Sequence, residues 1–193
     1  MLKGILLGII LGVVFVFLGA YFYFATGHVP VATNSPEMPF ERKFAKIALH
    51  AYLDKVPHSD SPVPADEANL LAGAKIYKEH CAVCHGLPGE PHTAIADGMF
   101  PKPPLLFRGM GVTDDEVWES YTKVSGGIRM TGMPGFKNRL SDTQMWQVSQ
   151  LVKTADKLPA SAKTELTPAT TAAPSTAAPA KAADADHDHD HIH

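Results

Sequence analysis

Cys81-Ala82-Val83-Cys84-His85 is the segment of this chain in which residue type and spacing most directly specify a chemistry. Two thiols three residues apart at a helix end reach two vinyl groups of one porphyrin, and the adjoining imidazole then meets the iron. C-x-x-C-H is accordingly the attachment signature of a c-type haem. The same Cys spacing also serves thioredoxin-like dithiols and zinc sites. A dithiol enzyme needs a βαβ context, and a structural zinc needs further Cys or a suitably spaced His pair; neither is visible. These two cysteines are the only ones in the chain, and they lie too close together to staple a fold.

An iron held by one imidazole has a sixth position, and its occupant separates electron transfer from ligand chemistry. Met133 is the expected ligand. It lies in Ile128-Arg129-Met130-Thr131-Gly132-Met133-Pro134-Gly135-Phe136, where Gly132 and Pro134 can fix an extended approach. A thioether is a soft ligand that tends to raise the potential. Met130, Met99 and Met110 compete, since a Met more often fills a core gap than binds a metal. His80 reads as a solvated helix-end residue, and His28, His50, His58 and His92 are isolated. His187, His189, His191 and His193 alternate with Asp at the end of the chain, a pattern able to chelate Zn, Cu or Ni weakly because flexible ligands must be ordered on binding.

The elements that position these residues are helical. Asp66 and Glu67 place negative charge in a first turn, and Leu70, Ala74, Tyr77 and Cys81 follow on one face. A second helix is expected from Thr113, spaced to Glu116 as in a capping box, carrying Val117, Trp118, Tyr121 and Val124 until Gly126-Gly127. A third starts at Ser141 with Gln144 three residues on, shows Met145, Val148, Val152 and Ala155, and stops at Pro159. Gly86 to Gly111 is Gly- and Pro-rich without strand alternation, so no sheet is expected. Three short helices make a thin core, and a cofactor should fill it.

Four parts are therefore expected: 1–26, 27–65, 66–158 and 159–193. The first contains an uncharged run from Gly4 to Thr26, which at 1.5 Å per residue makes a helix of about 34 Å, long enough to cross a bilayer. Ala25-Thr26-Gly27 offers a signal-peptide cleavage spacing, but the apolar run exceeds a signal's central region. Tyr21 to Phe24 cluster as an interfacial belt, and Lys3 is the one side-chain charge at the front, which puts the body outside the cytoplasm. Gly4, Gly8 and Gly12 form a strip along which another membrane helix could approach. The Pro-rich linker 27–65 holds a short amphipathic helix from Phe40 to Leu53, with Arg42, Lys43 and Lys46 suited to anionic headgroups or its apolar side packed on the core. The Ala/Pro/Thr/Ser tail from Pro159 is expected to be disordered. A formal net charge of −3 offers no footprint for nucleic acid.

From Asp66 to Leu158 the chain resembles the class I monohaem cytochromes c, on Gly73 and Tyr77 leading into Cys81-Ala82-Val83-Cys84-His85-Gly86, then Gly127 to Pro134, then a helix bearing Trp146. The resemblance implies an all-α cytochrome c fold, three main helices around one covalently attached haem c, with the first and last helices crossing near Gly73, Tyr77 and Trp146. It implies His85 and Met133 as axial ligands. It also implies a proline carbonyl after the motif that orients the imidazole: Pro103 first, with Pro101 and Pro104 as alternatives. Arg129 and Trp118 are placed to meet haem propionates or the ring edge, their alternatives being a solvated charge and a core aromatic. The anchor, the long linker and the tail depart from the compact family pattern.

The expected function is a one-electron carrier, not an enzyme, tethered to a bacterial inner membrane with its haem domain in the periplasm and working with redox partner proteins or the subunits of a membrane redox complex. Two other readings remain: a haem enzyme or gas sensor with an open or displaceable sixth site, distinguished by carbon monoxide binding, and a metal-handling or structural subunit, distinguished by deleting the His tail.

Overall fold

The computed structural model describes residues 2–108 and 114–168, and every regular element in them is helical. Helix α1, Leu2–Ala25, is apolar throughout and has no buried residue. Apart from the helix's own neighbouring backbone, no described residue lies within 4 Å of where a Cβ would stand on Gly4, Gly8 or Gly12. Helix α2, Glu41–Leu53, forms where the amphipathic segment is expected, and of its residues Leu53 is buried.

The cytochrome-like body is built on α3, Glu67–His80, and α7, Asp142–Lys153. Asp66 caps α3 by accepting from the Asn69 amide at 2.9 Å. Ser141 and Gln144 close a reciprocal capping box on α7. Each device satisfies amides that a helix start leaves unpaired. The two helices can approach closely because Gly73 has no side chain: a Cβ there would stand 2.4 Å from the Gln147 carbonyl oxygen. Leu70, Ala74 and Tyr77 of α3 then bury against Met145, Val148 and Leu151, each large aliphatic side chain contributing about 1.5–3 kcal/mol by leaving water. Trp146 is buried too, but it stacks on Tyr121 at 4.0 Å, while the edge-to-face partner of Tyr77 is Phe107 at 4.9 Å.

Helix α4, Ala82–His85, is a single turn, and α5, Ala94–Asp97, adds another in the segment expected to be irregular, capped by Thr93. Helix α6, Val117–Gly126, packs on α7. It starts later than the expected Thr113: the cap is Glu116, which makes no side-chain capping bond, and Thr113 lies outside the described residues. Helix α7 ends at Lys153, short of Pro159.

Two boundaries move. The tail expected from Pro159 begins with an ordered helix, α8, Ala160–Leu166, packed on α3 with Ala162 and Leu166 fully buried. A seven-residue helix is marginal alone. Here burial and two bonds hold it, Lys78 Nζ donating to the Glu165 carbonyl at 2.8 Å and Ser161 Oγ donating to Glu67 at 2.7 Å. The linker 27–65 likewise joins the body at its end: Val63 is buried, its carbonyl accepts from Gln150 Nε2 at 3.1 Å, and His58 stacks on Trp118 at 4.1 Å.

Candidate haem site

Cys81 closes α3 and opens α4. Its carbonyl accepts from the Cys84 amide at 3.1 Å and from the His85 amide at 2.9 Å, so one tight turn carries both thiols and the imidazole. Gly86 then turns the chain at φ +72°, where a Cβ would stand 2.7 Å from Leu105 Cδ2. The buried Tyr77 hydroxyl donates to the Gly86 carbonyl at 2.8 Å, and Thr93 Oγ1 donates to the Val83 carbonyl at 2.5 Å. The turn is thus tied to α3 on one side and to α5 on the other. Both thiols are free and half-buried. Burial, with Cys84 adding to it, pushes the Cys81 thiol up to about 12. A catalytic dithiol needs the opposite shift.

His85 donates through Nδ1 to the carbonyl of Pro104 at 2.8 Å, which leaves Nε2 as the lone-pair nitrogen, with no hydrogen-bond partner among the described residues. Burial lowers the pKa of this imidazole against the raising effect of the Pro104 bond, favouring the neutral, ligating form. The orienting carbonyl is therefore that of Pro104 and not of Pro103. Pro103 is buried and its carbonyl accepts from His92 Nε2 at 3.0 Å. A residue before a proline is held extended, and neighbouring carbonyls in such a run diverge, so the two serve two histidines. His92, which reads as isolated in the sequence, holds the proline run in place, and no local pattern announces it.

Met133 is half-buried, on a segment pinned to the end of α6. The Phe136 amide donates to the Val124 carbonyl at 2.9 Å, the Lys137 amide to Ser125 at 3.2 Å, and the Ile128 amide to Met133 at 3.2 Å. The backbones touch: a Cβ on Gly127, at φ +68°, would stand 2.5 Å from the Gly135 nitrogen, and one on Gly135 would stand 2.8 Å from the Gly126 carbonyl carbon. The other methionines are placed differently. Met130 is 90% exposed with φ +61° at the outer tip of the loop. The Met99 methyl fills the space where a Gly132 Cβ would stand. Met110 lies outside the described residues. Arg129 is exposed, and Trp118 is half-buried against His58. His187, His189, His191 and His193 lie outside the described residues. Within those residues no group of three or more His, Cys, Asp or Glu could hold a metal ion.

These residues fit a haem. Two free thiols, an imidazole with an open Nε2 and a soft thioether are the donor types it takes. Leu87, Leu106, Phe107, Val124 and Phe136 pack on the core yet remain only partly covered, an apolar wall suited to a porphyrin face.

The family model of cytochrome c oxidase, cbb3-type, subunit III matches residues 68–152. Cytochrome c6 of Limnospira maxima is 32% identical over 84 residues, which cover 44% of this chain and 90% of that protein. This chain belongs to the cytochrome c family. Haem c is the cofactor that family implies. The cytochrome is also 36% identical over 90 residues to the cytochrome c subunit of a quinone alcohol dehydrogenase of Gluconobacter oxydans, covering 42% of this chain and 18% of that subunit. It is 29% identical over 112 residues to the quinohemoprotein alcohol dehydrogenase ADH-IIG of Pseudomonas putida, covering 54% of this chain and 14% of that enzyme. The match thus spans less than a fifth of either protein.

Proposed function

We propose that this cytochrome is a membrane-anchored one-electron carrier holding one haem c, attached through Cys81 and Cys84 and ligated axially by His85 and Met133. The observation that carries the reading is the bond from His85 Nδ1 to the Pro104 carbonyl, which fixes the tautomer and leaves the Nε2 lone pair to serve as a metal ligand. When bound, the haem supplies a ferrous–ferric couple that takes up and releases one electron. The chain's part is positional. Pro104 holds the imidazole plane, Tyr77 anchors the turn behind the thiols, and the clasp of Gly127 on Gly135 sets the height of Met133. The half-buried apolar residues keep water from the iron, so that little reorganisation accompanies a change of charge.

Helix α1, 24 residues long with a mean hydropathy of 2.7 over an 18-residue stretch, supports the anchor. Lys3 in its first turn and the Tyr21–Phe24 cluster near its end support a body on the extracytoplasmic side. The cytochrome subunit of the Gluconobacter dehydrogenase supports redox subunits as partners. A tether then replaces affinity by raising local concentration, and brief encounters suffice.

Absorption spectra of detergent-purified protein, oxidised and reduced, with a pyridine haemochrome assay and a carbon monoxide challenge, test the assignment. The expected result is one covalent haem per chain, a Met-to-iron charge-transfer band and no response to carbon monoxide. Absence of covalent haem overturns the attachment, and rapid carbon monoxide binding overturns the sixth ligand.

A further inference from the structure

Helix α2 is apolar on two opposite sides. At 100° per residue, Leu49, Tyr52 and Leu53 share the side toward the body, where Leu53 is buried. Phe40, Phe44, Ile47, Ala48 and Ala51 lie on the other side, with Phe44 and Ile47 exposed at 66% and 53%. A helix in a soluble body keeps one such stripe, so the second calls for a cover.

Charge and connection say what the cover is. A shallow groove along the flank between these two sides is lined by Arg42, Lys43, Lys46, Ile47, His50 and Asp54 together with Ala51. Arg42 is engaged, paired with Glu37 and lying 5.3 Å from the centre of the Phe100 ring. Lys43 and Lys46 make no ion pair among the described residues. Residues 26–40 join α1 to α2, and a chain of that length reaches roughly 50 Å at most. A bilayer crossed by α1 therefore always lies within reach of α2.

We infer that α2 is an interfacial helix that lays Phe40, Phe44 and Ile47 into an anionic lipid surface, with Lys43 and Lys46 at the headgroup level. This rests on the reading of α1 as a membrane span. It has a consequence for the haem site. On its inner side α2 meets Phe100 through Arg42, and the Tyr52 hydroxyl lies 4.0 Å from the Cβ position of Gly126. Gly126 and Gly127 are the residues on which the Met133 segment is clasped. Docking α2 turns the Met133 side of the cytochrome toward the bilayer, and so toward redox partners embedded there.

The test uses the full-length holoprotein in vesicles, with Ile47→Cys as the sole thiol not bound to haem and Asp60→Cys as an exposed reference. Labelling by a neutral polyethylene-glycol maleimide is followed by mass in vesicles containing phosphatidylglycerol and in vesicles of phosphatidylcholine alone, with the haem spectrum confirming the fold. The expected result is slow labelling at position 47 relative to position 60 in the anionic vesicles only. Each lysine near an anionic surface adds about fivefold to partitioning, so Lys43→Gln with Lys46→Gln should restore labelling by an order of magnitude or more. Equal rates at the two positions in anionic vesicles overturn the proposal. So does protection that is the same in both lipids, which would mean that protein covers the helix. Failure of the protein to float with vesicles after a high-salt wash would instead overturn the span by α1.

Discussion

The turn carrying Cys81, Cys84 and His85 and the segment carrying Met133 are held by different kinds of contact. The first is a turn closed by its own backbone bonds from Cys81 to His85 and braced by side chains, Tyr77 on the Gly86 carbonyl, Thr93 on the Val83 carbonyl and His85 on the Pro104 carbonyl. The second is a clasp of backbone on backbone, residues 124–127 against 133–137, with two glycines where a Cβ would collide. The backbone bonds of the turn close within Cys81 to His85. A clasp between loops exists only while α6 and the segment before α7 are both in place. The cytochrome should therefore keep its haem covalently attached under conditions that release the sixth ligand.

The strongest break in that comparison is chemical. Cys81→Ala with Cys84→Ala is expected to abolish covalent haem in a pyridine haemochrome assay. Met133→Ala should keep full covalent haem, lose the Met-to-iron band and admit carbon monoxide, whereas Met130→Ala, altering an exposed loop tip, should leave the spectrum unchanged. Gly127→Ala probes the clasp itself. A side chain at φ +68°, pressed against Gly135, should cost about 1–3 kcal/mol in denaturant unfolding, and the Met-to-iron band should fade before global unfolding begins. Tyr77→Phe sharpens the other side of the comparison. It leaves the Gly86 carbonyl without its donor and should cost about 1–2 kcal/mol, seen as a lower midpoint with the Met-to-iron band intact. Ser141→Ala removes one arm of the capping box on α7, which both sides share, and should cost about 1 kcal/mol without separating them. Simultaneous loss of the Met-to-iron band and of global structure in Gly127→Ala would show that the two sides do not differ.

The elements most legible in the sequence were those whose signals sit within a few residues. The start of α3 at Asp66–Glu67, the capping box at Ser141 and Gln144, the apolar α1 and the amphipathic α2 all form where local spacing puts them, with Asp66 standing as the cap rather than inside the first turn. Gly73 was legible as a crossing point, and it is one. The start of α6 was not, because Thr113–Glu116 mimics a capping box while the helix begins after Glu116. Helix α8 was hidden in a stretch of Ala, Pro, Thr and Ser whose composition reads as disorder; its order comes from Ala162 and Leu166 meeting α3, a contact between residues about ninety apart.

By itself the sequence determined the chemistry of the turn at Cys81–His85, because thiols at i and i+3 with an imidazole at i+4 share one turn of any helix. It also determined a span of apolar chain at the front, since length and composition are enough for that. Only the tertiary structure decided which of three neighbouring prolines holds His85, because divergent carbonyls in an extended run are distinguished by what lies on each side: His85 against Pro104 and His92 against Pro103. It also decided that Met133 lies half-buried on the clasped segment while Met130 is exposed, because the contact of Gly127 with Gly135 is a close approach of two backbone stretches that residue types alone do not announce.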